Sequence, residues 1–404
     1  MGNGLSKSSC TDAVSWVAIT AIFLLYALWL CYCYRVGLSW FDPPAEHIVP
    51  HKQQMKQLKR GAICNYYNLK KMRKKLDDQM TVVSDELLGK GTFGIVYLGN
   101  VFQPRDRMRF FEAVPAAFKV SHPSPQAALA TLQEANTLAR LDHSRIIKLL
   151  GVSFNHNQPL FAMEYLSGGS LTAFFSHLRQ TAPQVRDCVG NADVIRILIQ
   201  VADAMEYLHQ KNIVHKDVAC RNVLLTEPSL ADADAKLGDF GLAYQHCPGV
   251  YMRFGDTVPY WWLPPEVISP WPEARAGTHS TCGDVYMFGV LSWEMTTLGA
   301  FPHADKSLSE IKRDITEKYD KGLRRPINIL PQLYSLMLEC WSVEPHQRPV
   351  FYKKNRENCS SSPPTILARL KHMLGCLSED DDLPLQVMPH HNHACNCPLH
   401  QESE

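Results

Sequence analysis

Three short segments of this 404-residue chain carry side chains whose types and spacing suit chemistry. Ile213 to Leu225 (IVHKDVACRNVLL) sets polar residues between two apolar runs, and 22 residues after Asp217 stands Asp239-Phe240-Gly241. Asp217, Asn222 and Asp239 thereby place two carboxylates and a carboxamide on neighbouring loops. These are hard oxygen donors of the kind that hold Mg2+ against phosphate, with one carboxylate left to orient an attacking hydroxyl and take its proton. The third segment, Gly89-Lys90-Gly91-Thr92-Phe93-Gly94-Ile95-Val96, lies between the apolar runs Val82 to Leu88 and Ile95 to Leu98. At a strand-to-helix turn a G-x-G-x-x-G would suggest a dinucleotide site. In a strand-turn-strand it suggests a flap whose backbone N–H groups cover phosphates.

Other elements must position these loops. Ala116 to Val120 ends an alternating strand with Lys119, and 15 residues later Glu134 falls in a helical stretch, Ala127 to Leu141, with Leu132, Ala135, Leu138 and Leu141 on its apolar stripe. A Lys119–Glu134 pair joining strand and helix would hold the ammonium where it can bind α/β-phosphates. Strand pattern begins at Thr81-Val82-Val83, after a proline-punctuated linker at Trp40 to Pro50. Near the other end, a polar stretch between Phe351 and a helix over Ile366 to Leu374 reads as a surface loop closed by Thr365, a helix cap after Pro363-Pro364.

From about Met80 to Cys376 the chain resembles the protein-kinase family, and within it the tyrosine-kinase branch. Besides the loops above, Met163-Glu164-Tyr165-Leu166-Ser167-Gly168 resembles the hinge, Pro264-Pro265-Glu266 the A-P-E segment, Gly283 to Val290 the S-D-V-W-S-F-G-V helix, and Cys340-Trp341 with Arg348-Pro349 the closing motifs. The resemblance implies an α+β, bilobal protein-kinase fold, with a small β-rich N-lobe (80–162), a hinge (163–168) and a larger α-helical C-lobe (169–376). It implies ATP and Mg2+ as cofactors. Asp217 would be the catalytic base, Asn222 and Asp239 the metal ligands, Lys119 the phosphate-binding lysine and Glu134 its partner. Gly89, Gly91, Phe93, Gly94, Val96, Met163 (the gatekeeper), Glu164 and Leu166 would line the nucleotide site, and Glu266 and Arg348 would form the ion pair anchoring the activation segment. Ala219-Cys220-Arg221-Asn222 resembles the A-A-R-N of the tyrosine branch, which makes Arg221 a catalytic-loop residue. Pro259 and Trp262 echo that branch's P-V-K-W.

The chain departs from the family pattern in places. His215-Lys216-Asp217 replaces H-R-D, exchanging a bidentate guanidinium for a point charge and implying weaker control by activation-loop phosphorylation. Tyr251 is the autophosphorylation candidate. Tyr260-Trp261 replaces V-K beside the substrate site, which alters the expected peptide preference; Pro264 for Ala and Tyr286 for Trp are tolerable exchanges.

Composition bounds the rest. A net charge of +1, with 41 Lys+Arg against 40 Asp+Glu, argues against one global nucleic-acid surface, and 46% hydrophobic with 20% charged residues is globular. Thirteen scattered cysteines without scaffold spacing suggest a reducing compartment. Ala13 to Tyr34 is 22 residues without a charge, about 33 Å as a helix, so a single transmembrane helix is expected rather than a cleaved signal peptide. Ten basic residues between Arg35 and Lys75, against Lys7 alone before the helix, put the C-terminal part in the cytosol, the plasma membrane being the expected site, and form a belt suited to anionic lipid or simply a solvated linker (35–79). Residues 1–12 would lie outside. Gly2-Asn3-Gly4-Leu5-Ser6 competes with that topology, because as an N-myristoylation site it would keep the N-terminus in the cytosol and make the apolar segment a re-entrant anchor. From 377 an acidic run (Glu379 to Asp382), then His390, His391, His393, Cys395, Cys397 and His400, reads as a disordered tail in reach of the basic belt.

The expected activity is that of a membrane-anchored, receptor-like protein tyrosine kinase. Its partners would be protein substrates with tyrosine, membrane lipid, phosphotyrosine-binding adaptors at Tyr66 or Tyr67, and a second copy on activation, although no G-x-x-x-G marks a dimer face. The alternative is a weakly active or inactive kinase-fold scaffold, motivated by Lys216 and Trp261. A serine/threonine or dual-specificity kinase is a third reading.

Overall fold

Period-two alternation and a turn at Thr92-Phe93 open the fold. In the computed structural model the described residues are 81–105, 110–155, 158–180, 189–245, 260–268, 279–304, 306–307, 309–310, 313, 323–353, 363–378 and 381–386. The apolar segment 13–34, the acylation motif, the basic belt, Tyr66, Tyr67, Tyr251 and the His/Cys-rich end lie outside them. Among the described residues no helix is long and apolar enough to cross a membrane.

Strands β1 (Thr81–Gly91), β2 (Gly94–Arg105), β3 (Phe110–Ser121), β4 (Leu149–Asn155) and β5 (Gln158–Glu164) form one antiparallel sheet in the order β1-β2-β3-β5-β4. Directly paired residues share a face. The pairings Val101↔Val114 and Phe118↔Ala162 put Val101, Ala116, Phe118 and Ala162 in one small buried cluster. Val96↔Lys119, Lys119↔Phe161 and Ala117↔Met163 put the lysine on the other face, where Phe161 belongs to the large core and Met163 packs against it. Alternation alone thus turns Lys119 toward the second lobe.

Helix α1 (Pro125–Leu138) crosses between β3 and β4. Ser124 caps it, its Oγ accepting the Ala127 N–H at 3.1 Å, and Pro125 occupies the first helical position, where no N–H is needed. It ends three residues before the expected Leu141, because Arg140 and Leu141 close i to i−3 turns and the Asp142 N–H is taken by the Tyr207 hydroxyl at 3.0 Å.

The second lobe follows in the order β6 (Gly169–Ser170), α2 (Leu171–Gln180), α3 (Asn191–Gln210), β7 (Ile213–Val214), β8 (Val223–Leu225), β9 (Ala235–Leu237), β10 (Tyr244–Gln245), α4 (Pro265–Ile268), α5 (Thr281–Thr296), α6 (Pro331–Cys340) and α7 (Ile366–Gly375). Residues Gly283 to Thr296 of α5 are all buried, so this helix is enclosed around its whole circumference within the lobe. The Thr365 hydroxyl caps α7 as expected, accepting from Ala368 N at 3.3 Å.

The start of the acidic tail is bound rather than free. Leu385 is 1% exposed in the large core, and its N–H donates to Val189 O at 2.9 Å. Asp382 Oδ1 accepts the Ala192 N–H at 2.8 Å, so a side chain 190 residues away supplies the cap that Gly190 lacks at the head of α3. A Cβ at Gly190 would stand 2.3 Å from that oxygen. Asn328 Nδ2 fixes Pro384 O at 2.8 Å. The favourable interaction of Asp382 with the helix N-terminus and the burial of Leu385 outweigh the local charge density that suggested disorder. Deletion of residues 377–404 should therefore cost roughly 3 kcal/mol, about 2 from Leu385 burial and about 1 from the lost cap, and lower Tm by several degrees in a thermal melt.

Candidate active site

The glycine-rich turn is held at both ends. His122 Nε2 donates to Gly91 O at 3.0 Å and the His122 N–H to Phe93 O at 3.0 Å, tying the flap to the end of β3. At Gly94 a Cβ would lie 2.4 Å from Val120 O, so only glycine lets β2 approach β3 here, whereas a Cβ at Gly89 would meet nothing within 4 Å. Gly91 is exposed and Phe93 and Val96 are partly exposed, which leaves an open backbone cradle above the cleft.

Below it, Lys119 Nζ lies 2.7 Å from Glu134 Oε2 and 3.7 Å from Asp239 Oδ1. The lysine is only 8% exposed. Burial alone would favour loss of its proton, but the carboxylates of Asp239 and Glu134 outweigh this and hold its pKa above the usual lysine value. Burial would likewise raise Asp239, and Lys119 with the Gly241 N–H reverses that and keeps its carboxyl below the usual range. The Asp239 side chain remains 48% exposed toward the cleft. Its φ of +53° is left-handed, a strained conformation that aims the carboxylate and costs on the order of 1–3 kcal/mol.

The loop from His215 to Asn222 is built around a second carboxylate. Asn222 Nδ2 donates to Asp217 Oδ2 at 2.7 Å and to Asp217 O at 2.8 Å, and Arg221 Nη2 donates to Asp217 Oδ1. With its nitrogen committed twice, Asn222 is left with Oδ1 as the atom to offer a cation. The Arg221 guanidinium also stacks 4.4 Å over the Trp262 ring.

What sets this loop is a residue that motif reading named only as part of a helix pattern. Asp284, fully buried in α5, accepts the backbone N–H of His215 at 2.9 Å and of Lys216 at 2.8 Å, and bonds His209 Nε2 at 3.0 Å. Lys216 itself has φ +70°, a turn that these two bonds stabilise. Burial pulls the Lys216 ammonium down to about 8, Asp284 opposing. His215 then joins the two loops, its Nε2 donating to Gly238 O at 3.1 Å and its ring meeting Phe240 edge-on at 4.9 Å.

At the hinge, Glu164 turns its carboxylate to Lys236 Nζ, 2.8 Å from each oxygen, and to the Lys148 N–H at 2.7 Å, while its own N–H donates to Lys148 O at 3.0 Å. Met163 and Leu166 pack against the core beside it. Arg348, with no side-chain exposure, grips Glu266 through two bonds of 2.7 and 2.8 Å and also donates to Cys282 O and Ser342 O. Tyr251 lies outside the described residues. Sequence reading missed Asp284, Lys236 and His122; for Asp284 the available signal was a charge inside an otherwise apolar helix, which has to find buried partners.

Lys119, the Asp239 carboxylate, the Asn222 oxygen and the glycine cradle fit a nucleotide triphosphate with a hard divalent cation. The comparisons agree. The description of protein tyrosine and serine/threonine kinases matches residues 82–357. Protein nipi-4 of Caenorhabditis elegans is 32% identical over 93% of this chain and 90% of its own length. The tyrosine-protein kinase transforming protein Fps of Fujinami sarcoma virus is 34% identical over 67% of this chain, and tyrosine-protein kinase Fer of Rattus norvegicus 30% identical over 77%. This chain spans only 28% and 35% of those two proteins.

Asp284→Asn keeps the shape and removes the charge, and should destabilise the fold by about 3 kcal/mol in denaturant unfolding. Burial would raise the Asp284 carboxyl, but the bonds from His209 and His215 outweigh it and hold it below its usual value. The stabilisation is thus complete above the unfolded-state value of about 4 and is lost as pH falls through the lower folded value. The variant should show a flatter acid limb of stability against pH.

Proposed function

The chain belongs to the protein tyrosine and serine/threonine kinase family, and from that premise we propose that it is a protein tyrosine kinase, moving the γ-phosphate of ATP to tyrosine hydroxyls of proteins, its own included. The observation that carries this reading is the Asp217 carboxylate, clamped between Arg221 and Asn222 and 8% exposed at the floor of the cleft. The names of the Fps and Fer relatives and the Ala219-to-Asn222 sequence support tyrosine as acceptor. The residue two places after Asp217 is Ala219, and Arg221 reaches the Asp217 carboxylate from four places on, as the tyrosine-branch resemblance implies.

Bound ATP and Mg2+ supply the phosphoryl group and neutralise the charge that develops on it. Asp217 orients the acceptor hydroxyl and takes its proton, while Arg221 and Asn222 keep the carboxylate from rotating away. Lys119, braced by Glu134, places a fixed positive charge for the phosphate oxygens, and Asp239 with Asn222 Oδ1 would hold the metal. The Glu266–Arg348 pair anchors the segment on which the acceptor peptide would lie.

The uncharged stretch 13–34 and the basic residues after it support anchoring to the plasma membrane with the kinase domain in the cytosol. Tyr251 is the proposed autophosphorylation site, and Tyr66 or Tyr67 the proposed docking sites for phosphotyrosine-binding adaptors.

With Mg-ATP and a tyrosine-containing polymer, the full chain should form phosphotyrosine. Asp217→Asn should lower the rate by about a hundredfold or more while nucleotide still binds, and Lys119→Met should abolish transfer and weaken nucleotide binding. Unchanged rates in both variants would refute the assignment.

A further inference from the structure

A second acidic residue of α5 has no part in the chemistry above. Glu294 is 5% exposed, ten residues after Asp284 on the same helix. Its Oε2 accepts the backbone N–H of Cys220 at 3.1 Å. Cys220 opens the tight turn Cys220–Asn222, which carries Arg221 and Asn222, both of which hold Asp217. The buried Trp262 indole lies close enough to the Glu294 carboxylate to stabilise its charge, although among the described residues the Trp262 N–H makes no hydrogen bond of normal geometry. Arg221 completes the ring: it stacks on Trp262 and is drawn electrostatically to Glu294 as well as to Asp217. Trp262 in turn packs edge-on to Phe301 at 5.1 Å. One carboxylate on the rigid central helix therefore faces both the catalytic turn and the segment expected to support the acceptor.

Resting on the tyrosine-kinase reading, we propose that Glu294 is a positioning residue for the phosphoacceptor, fixing the Cys220–Asn222 turn against Trp262 so that Arg221 and Asp217 face the incoming tyrosine hydroxyl. Asp284 holds the start of the catalytic loop and Glu294 its end, so the loop is pinned at two points to one helix. The nucleotide side of the cleft, with Lys119, Glu134 and the glycine turn, receives no contact from Glu294. Loss of the pin misplaces the acceptor side and spares ATP binding. Burial pushes the Glu294 carboxyl up to about 7, Trp262 and Arg221 opposing. An uncharged acceptor of the same shape is accordingly a fair substitute.

The test compares Glu294→Ala and Glu294→Gln in the full chain by peptide kinetics, ATP affinity and amide hydrogen exchange. Glu294→Ala should lower kcat for a tyrosine peptide by at least about tenfold, with ATP affinity within about twofold of wild type and faster exchange at residues 220–222. Glu294→Gln, which keeps an oxygen for the Cys220 N–H, should recover most of the rate. Wild-type kcat in Glu294→Ala, a Gln variant as impaired as Ala, or loss of ATP affinity with faster exchange throughout the lobe would overturn the proposal. A wild-type chain that forms no phosphotyrosine refutes the tyrosine-kinase reading instead; exchange at 220–222 unchanged by Glu294→Ala then overturns the pin as well.

Discussion

A carboxylate buried without exposure in an apolar helix is the constraint on which the rest depends. Desolvating Asp284 is costly, and the cost is offset only because the charge receives two backbone N–H groups and the His209 ring. The two N–H donors belong to His215 and Lys216, which lead directly into Asp217. The energy that makes Asp284 tolerable therefore also fixes the left-handed turn at Lys216 and the path of the chain to Asp217. His215 passes the constraint on, through Gly238 O, to the loop that carries Asp239. Two loops 22 residues apart in sequence thus share one anchor, on the helix that packs most completely.

The sheet lobe solves a different problem. Lys119 has to remain charged while almost fully buried, and one carboxylate at 2.7 Å and a second at 3.7 Å achieve this. Glu134 belongs to the sheet lobe and Asp239 to the helical lobe, so the lysine's charge is satisfied only where the lobes meet. A brace at the hinge, Glu164 to Lys236, joins the lobes at a second point. Catalytic geometry and interlobe geometry are consequently coupled through a few charged side chains.

The sequence showed these pieces unequally. Glycine spacing, the Lys119 strand and the Asp217, Asn222 and Asp239 loops were legible because their residue types are dictated by phosphate and metal chemistry and sit in short contiguous runs. Asp284 and Glu294 were hidden because periodicity reports where apolar residues are, and says nothing of which distant backbone a buried charge will meet. The 381–386 strap was misread for a related reason: four acidic residues in a row dominate composition, while the capping partner of Asp382 lies 190 residues away. The end of α1 moved inward because a tertiary bond from Tyr207 stopped the helix where its apolar stripe would have carried it on.

The central claim is that this doubly pinned loop presents Asp217 to a tyrosine. It is tested most directly by giving the full chain Mg-ATP and an equimolar mixture of peptides that differ only in carrying serine, threonine or tyrosine, and identifying the phosphorylated residue by mass spectrometry. The account predicts phosphotyrosine alone. Phosphoserine or phosphothreonine at comparable yield would contradict it.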